Sequence, residues 1–210
     1  MIAVENLSLK QGNFSLRDVS LTIPTGSYGV LMGPSGCGKT SLVEAICGLR
    51  NPTAGIIRLD GRDVAEVSPA DRGIGYVPQE GALFPRLAVR HQIAFSLVVR
   101  RRPDSIIAER VDELASQLGI THLLDCQPDG LSGGERQRVA FARAIADDPP
   151  ILCLDEPLSA LDNDIHAELL TLIKDMRRRL RATTLHVTHN HDEARALADV
   201  IIKLPDSRSS

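Results

Sequence analysis

Residues 28–47 read Tyr28-Gly29-Val30-Leu31-Met32-Gly33-Pro34-Ser35-Gly36-Cys37-Gly38-Lys39-Thr40-Ser41-Leu42-Val43-Glu44-Ala45-Ile46-Cys47. A short apolar run is followed by a glycine-rich octet, and then by Leu42, Val43, Ala45 and Ile46 at helical spacing. The segment predicts strand, tight loop and helix, with Gly48 ending the helix ahead of the Asn51-Pro52 break. The octet 33–40 has the pattern G-x-x-x-x-G-K-[ST] in the strand-to-helix context that gives the pattern meaning. Glycines let a backbone wrap closely around a phosphate with its N–H groups inward, the helix start adds its positive end, and Lys39 reaches the β- and γ-phosphates. Thr40 offers a hydroxyl to magnesium, Ser41 extends the binding group Gly33, Pro34, Ser35, Gly36, Cys37, Gly38, Lys39 and Thr40, and Cys37 serves through its backbone. A merely flexible glycine turn would leave the lysine and hydroxyl spacing unexplained.

Working outward, Leu16 to Ile23 alternates imperfectly and reads as a strand, closed by the turn Pro24-Thr25-Gly26. Strand-like runs return at Ile56 to Leu59 and Ile74 to Val77. Between about Gly81 and Gly134 the character changes to helical patterns, Val89 to Val99 and Ser105 to Leu118, bounded by Pro103 and by Gln127-Pro128-Asp129-Gly130. There follow a helix from about Gly134 to Ala146, an apolar strand Ile151 to Leu154, a helix Ile165 to Arg179, a β-rich run Thr183 to Thr188, and a short helix and strand. This order predicts an α/β chain, a largely parallel sheet covered by helices, with residues 81–134 inserted as a helical lobe into a body made of 1–80 and 135–210.

Ile151-Leu152-Cys153-Leu154-Asp155-Glu156-Pro157 puts two acids at the end of a buried-looking strand, where open α/β sheets gather ligands. Neighbouring side chains diverge there, so two roles are open. Asp155 is the candidate for holding magnesium, and Glu156 for accepting a proton from, or orienting, the water that attacks a γ-phosphate. A solvated acidic turn is the competing reading, and the octet at 33–40 weighs against it.

Composition narrows the classes. Of the 210 residues 43% are hydrophobic and 24% charged, the balance of a globular domain. Lysine and arginine number 24 against 27 acids, a net charge of -3, which gives no field suited to nucleic acid. Arg100 to Arg102 and Arg177 to Arg179 read as solvated helix faces or ends. The start lacks a secretory pattern and no apolar run approaches the ~20 residues of a membrane span, so a cytoplasmic location is expected. Four cysteines, Cys37, Cys47, Cys126 and Cys153, form no CxxC pair and predict reduced thiols.

Leu131-Ser132-Gly133-Gly134-Glu135-Arg136-Gln137-Arg138 opens a helix with a serine and two glycines, a second anion site by its exposed N–H groups. With this stretch the chain resembles the ABC ATPase family over essentially its whole length. The resemblance implies a P-loop NTPase, RecA-like core with a parallel sheet, an amino-terminal antiparallel β portion and an inserted helical subdomain. It further implies ATP with Mg2+, and two subunits paired head to tail so that Ser132, Gly133 and Gly134 contact nucleotide held by the partner's Lys39 loop. Gln79 looks like the glutamine that touches magnesium or the attacking water, Ser159-Ala160-Leu161-Asp162 like the loop that communicates across the dimer, and His189 like the histidine at the γ-phosphate. His186 lies close by, but on a strand it would face away from His189, and with no cysteine near it the group lacks a zinc geometry. His186 and His191 read as packing or surface residues.

The pattern departs from the family in two places. Lys10-Gln11-Gly12 has no aromatic where members stack adenine on one, leaving Phe14 as substitute or as core, and the chain stops soon after Leu204, so no fused carboxy-terminal sensor is expected. Ala82 to Val89 resembles the segment of import ATPases that faces the membrane subunit. The implied partners are integral-membrane permease subunits, a second ATPase subunit and, for an importer, a substrate-binding protein, with the chain peripheral on the inner face of the membrane. An exporter or lipoprotein extractor is the nearer rival; a soluble member acting on nucleic acid or ribosomes would bring paired cassettes, a coiled-coil insertion or basic extensions.

Overall fold

Ile2–Gln11 forms a strand, β1, although its apolar residues do not keep a period of two. Ile2, Val4, Leu7 and Leu9 are all buried because the register shifts between Val4 and Leu7, where Asn6 takes φ 48°. The bulge inserts one residue and hides the strand from an alternation test. The structure, a computed structural model, describes residues 1–12, 14–79, 81–159 and 161–205. After β1 come β2 (Phe14–Ile23), β3 (Tyr28–Met32), α1 (Lys39–Cys47), β4 (Ala54–Leu59), β5 (Arg62–Asp63) and β6 (Ile74–Val77). Then follow α2 (Val89–Val99), α3 (Asp104–Gln117), α4 (Gly133–Ile145), β7 (Ile151–Asp155), α5 (Asn163–Leu180), β8 (Thr183–Val187), α6 (His191–Leu197) and β9 (Val200–Lys203).

The chain divides into two compact units, one of residues Met1–Tyr76, Pro150–Glu156 and those from Arg181 onward, the other of Val77–Pro149 and Pro157–Leu180. In the first, one sheet runs β2-β1-β4-β5 and is antiparallel, and the other runs β6-β7-β8-β3-β9, with β7, β8, β3 and β9 parallel. The strands β3, β7 and β8 are buried along their whole length, the pattern of a parallel sheet covered on both faces. Ile2, Leu7, Ile23, Leu31, Leu42 and Ile46 belong to a single core that takes residues from both sheets and from α1. Burying such side chains contributes roughly 1.5–3 kcal/mol each, which explains why the antiparallel sheet holds to the rest.

Arg72 fastens the carboxyl end of α1. Its guanidinium donates to the carbonyls of Ala45 at 2.9 Å, Ile46 at 2.8 Å, Val67 at 3.0 Å and Val64 at 2.8 Å. A Cβ on Gly48, the left-handed cap at φ 82°, would come within 2.7 Å of Arg72 Nε, so glycine is required twice over. In the second unit α2 packs against α3 and α4, and α4 against α5. Among the described residues all four cysteines are free thiols and no helix is long and apolar enough to cross a membrane.

Candidate functional site

Three neighbouring strands, β7, β8 and β3, deliver their carboxyl ends to one place. β3 runs into the loop 33–38, β7 into Asp155 and Glu156, and β8 into Thr188 and His189. The loop turns on Gly36 at φ 79° and Gly38 at φ 103°, and Gly38 caps α1. A Cβ at Gly38 would lie 2.5 Å from Cζ of Phe14, so glycine here serves both the left-handed backbone and the close approach of that ring. Phe14 is half-buried against the core as well as against the loop.

Lys39 is buried in the first turn of α1, and its Nζ donates to the carbonyls of Gly33 at 3.0 Å and Pro34 at 3.1 Å. The same Nζ lies 3.7 Å from Glu156 Oε1, while Nδ1 of His189 lies 3.5 Å from Glu156 Oε2. Glu156 therefore stands between two nitrogen groups that are 117 and 33 positions away in the chain. Its backbone adopts φ 45°, an uncommon conformation for a residue with a side chain, and its N–H donates to Val187 O at 3.0 Å. Strain of this kind is held only where surrounding contacts determine it, and it concentrates at functional sites.

Asp155 has the opposite environment. It is only 1% exposed, and its carboxylate oxygens form no hydrogen bond of full geometry, although the Thr40 hydroxyl lies close enough to act on them. Burial pushes its pKa up; the Thr40 hydroxyl draws it down, Glu156 and Glu44 push it up, and Lys39 draws it down. Burial likewise raises the Tyr76 phenol, helped by Asp155. A buried carboxylate with neither oxygen in a full hydrogen bond, next to a threonine hydroxyl, fits a hard divalent cation, which takes oxygen ligands.

The remaining sequence candidates belong to the second unit. The side-chain amide of Gln137 donates to Gln79 O at 3.2 Å, fixing the backbone at that glutamine. Ser132, Gly133 and Gly134 open α4 through a capping box: Ser132 Oγ accepts from Glu135 N at 3.3 Å, and Ser132 N donates to Glu135 Oε2 at 2.8 Å. A Cβ on Gly134 would meet Ile165 Cγ2 of α5 at 2.6 Å, so the packing of two helices requires that glycine. Ser159, Leu161 and Asp162 are described, and Ala160 of the same loop lies outside the described residues. Asp162 Oδ1 accepts from Ile165 N at 3.1 Å at the start of α5.

Residues 82–89 gain support that their sequence did not announce. Gln92, fully buried, donates to Phe84 O at 2.7 Å and Leu87 O at 3.0 Å and accepts from Phe84 N at 3.1 Å. Arg143 donates to Ala82 O at 2.7 Å and sits 5.1 Å from the Phe84 ring centre. The segment is thus held while Phe84, Phe95, Val98 and Val99 remain exposed.

The family model described as ABC transporter matches residues 16–159. This chain belongs to the ABC transporter family. As an ABC chain it is 45% identical over 199 residues to the molybdate/tungstate import ATP-binding protein WtpC of Thermococcus kodakarensis, covering 95% of this chain and 60% of that protein. It is 43% identical over 209 residues to the sulfate/thiosulfate import ATP-binding protein CysA of Nocardia farcinica, covering 99% of this chain and 63% of that one. The chain therefore spans about 60% of the length of such relatives. Among solved structures, the dimeric post-hydrolysis state of the ATP-binding cassette MJ0796 bound to ADP and Pi matches this ABC fold with a TM-score of 0.87 at 29% identity, covering 99% of this chain and 97% of that chain. The α/β reading with a parallel sheet, an antiparallel portion and a helical part agrees with that neighbour.

Proposed function

We propose that this chain binds and hydrolyses ATP as the nucleotide-binding subunit of an importer, pairing with a second ATPase subunit and driving cargo through integral-membrane permease subunits at the cytoplasmic face of the membrane. The carrying observation is the meeting of Lys39, Glu156 and His189 beside the buried Asp155, at the carboxyl ends of three adjacent strands. The names of the relatives, import ATP-binding proteins, support import over export.

In this reading Gly33, Pro34, Ser35, Gly36, Cys37, Gly38, Lys39, Thr40 and Ser41 form the phosphate cradle of one subunit, and Ser132, Gly133 and Gly134 of the other subunit close over the γ-phosphate. Asp155 and Thr40, with Gln79, would hold Mg2+, which when bound neutralises phosphate charge. Lys39 leaves the carbonyls of Gly33 and Pro34 for the phosphates, and Glu156 orients the attacking water or takes its proton. His189 sits on the other oxygen of Glu156 and contacts the γ-phosphate. The division of labour follows the domain proposal, with 1–80 and 135–210 as the nucleotide-binding body and 81–134 as the lobe. Phe84, Phe95, Val98 and Val99 offer an exposed apolar surface for the permease. A substrate-binding protein would deliver the cargo, and no nucleic-acid partner is expected.

Replacing Glu156 by Gln tests the reading. ATP hydrolysis is expected to fall by roughly 100-fold or more, as loss of a general base requires, while ATP affinity stays within a few-fold. A variant that turns over at the parental rate would refute the role of Glu156, and a parental chain without ATPase activity would refute the function. Copurification of this variant from membranes with ATP and magnesium then identifies the permease; recovery of soluble partners alone would move the chain to another class.

A further inference from the structure

Three residues before His189 and four after it, two buried side chains face each other. Nε2 of His186, which has no exposed surface, lies 3.4 Å from Oε2 of the buried Glu193, and Nδ1 lies 2.8 Å from the phenol oxygen of Tyr28. Tyr28 starts β3, His186 belongs to β8 and Glu193 to α6. When the phenol donates to Nδ1, the neutral imidazole carries its proton on Nε2, which lies in close contact with the carboxylate without forming a hydrogen bond of good geometry. A buried carboxylate is costly unless it is paired, so this contact holds Glu193 against the sheet.

The pair closes a short connector. Thr188 N donates to Leu31 O at 3.2 Å, Asn190 N to Thr188 Oγ1 at 3.0 Å, and the Asn190 side chain accepts from Asp192 N at 2.8 Å and Glu193 N at 3.3 Å. Beyond α6, Asp199 binds both backbone groups of Tyr28, each at 2.8 Å. His189 itself is 63% exposed and little packed, so its position depends on this connector. We propose that Tyr28, His186 and Glu193 are positioning residues for His189: they staple α6 to β3 and β8, and so hold the imidazole beside Glu156.

The inference rests on the hydrolytic reading for its kinetic consequence only. The test uses the full chain with 15N-labelled histidine and the variants Glu193→Gln and Tyr28→Phe, with Asp192→Asn on the exposed start of α6 as control. The ring signals of His189, assigned with a His189→Gln chain, are expected to shift in the first two variants and to stay in the control. The turnover of Glu193→Gln is expected to drop about tenfold, and that of Tyr28→Phe less, with KM for ATP within twofold, since displacing a reacting group by a fraction of an ångström acts on kcat. Unmoved His189 signals in the folded variants, or a KM that rises in step with the fall in kcat, would overturn the proposal and leave the three residues a purely structural role. Should Glu193→Gln fail to fold, Tyr28→Phe, which loses one hydroxyl, decides alone. A parental chain without turnover would refute the proposed function, whereas the His189 signals judge the staple without any turnover.

Discussion

Asp155 and Glu156 are neighbours with opposite circumstances, one buried without a full hydrogen bond, the other held at φ 45° between Lys39 and His189. The structural burden of the first is measurable. Because burial raises the Asp155 pKa above its unfolded value, its contribution to stability is fully present below the unfolded pKa and is lost as pH rises through the folded one. As pH rises, the charge that develops on this buried side chain thus opposes folding when no cation is bound. Asp155→Asn is expected to raise the Tm of the nucleotide-free chain at pH 7 by several degrees, corresponding to about 1–3 kcal/mol. The gain should fade as pH falls toward about 4, where an ordinary carboxylate takes up its proton. Thermal unfolding at several pH values checks this; a lower Tm at pH 7 would mean that the buried carboxylate has donors the structure does not contain. At this scale Lys39, Asp155, Glu156 and His189 stood out in the sequence as candidates, since each falls within a short stretch of fixed spacing. The partners of His186 did not: read as packing or surface, it is a buried packing residue, hydrogen-bonded at Nδ1 to Tyr28 and in close contact at Nε2 with Glu193, both on other elements.

Elements in this fold are secured at their ends. α1 ends on Gly48 and the Arg72 guanidinium, and α4 begins on the reciprocal bonds of Ser132 and Glu135. The α4 cap carries a prediction of its own. Hydrogen bonds from the Ser132 hydroxyl and backbone hold the Glu135 carboxyl below its usual range, with burial opposing and His122 assisting. A lowered carboxylate pKa gives stability that is present above the unfolded value and is lost as pH falls through the folded one. Ser132→Ala is expected to lower the opening free energy of the first α4 amides by about 1 kcal/mol near neutral pH, and by less in acid, as read by hydrogen exchange. An unchanged exchange rate would show that the packing of Gly134 on Ile165 alone fixes the helix start. The Ser-x-x-Glu spacing of this cap stood in the sequence, overshadowed by the anion-site reading of the same residues. β1 stayed hidden for a different reason, because the bulge at Asn6 breaks the alternation by which strands are recognised.

For the molecule as a whole, the proposed head-to-tail pairing predicts association that depends on nucleotide. Glu156→Gln with ATP and magnesium is expected to sediment at twice the mass of the chain, and to return to single chains without ATP or when Lys39→Ala is added. A mass indifferent to ATP would sever the link between nucleotide and pairing. The phosphate loop, the two acids after an apolar strand and the opening of α4 were determined by sequence alone, because each is a contiguous pattern in which residue type and spacing carry the chemistry. Only the tertiary structure decided that Glu156 meets Lys39 and His189, that Asp155 is buried beside the Thr40 hydroxyl, that Phe14 rests on Gly38, and that His186 meets Glu193 across the connector. These depend on the parallel pairing of β3, β7 and β8 and on the approach of side chains from other elements. Contacts between residues far apart in the chain leave no periodicity along it, so they exist only once the sheet has formed.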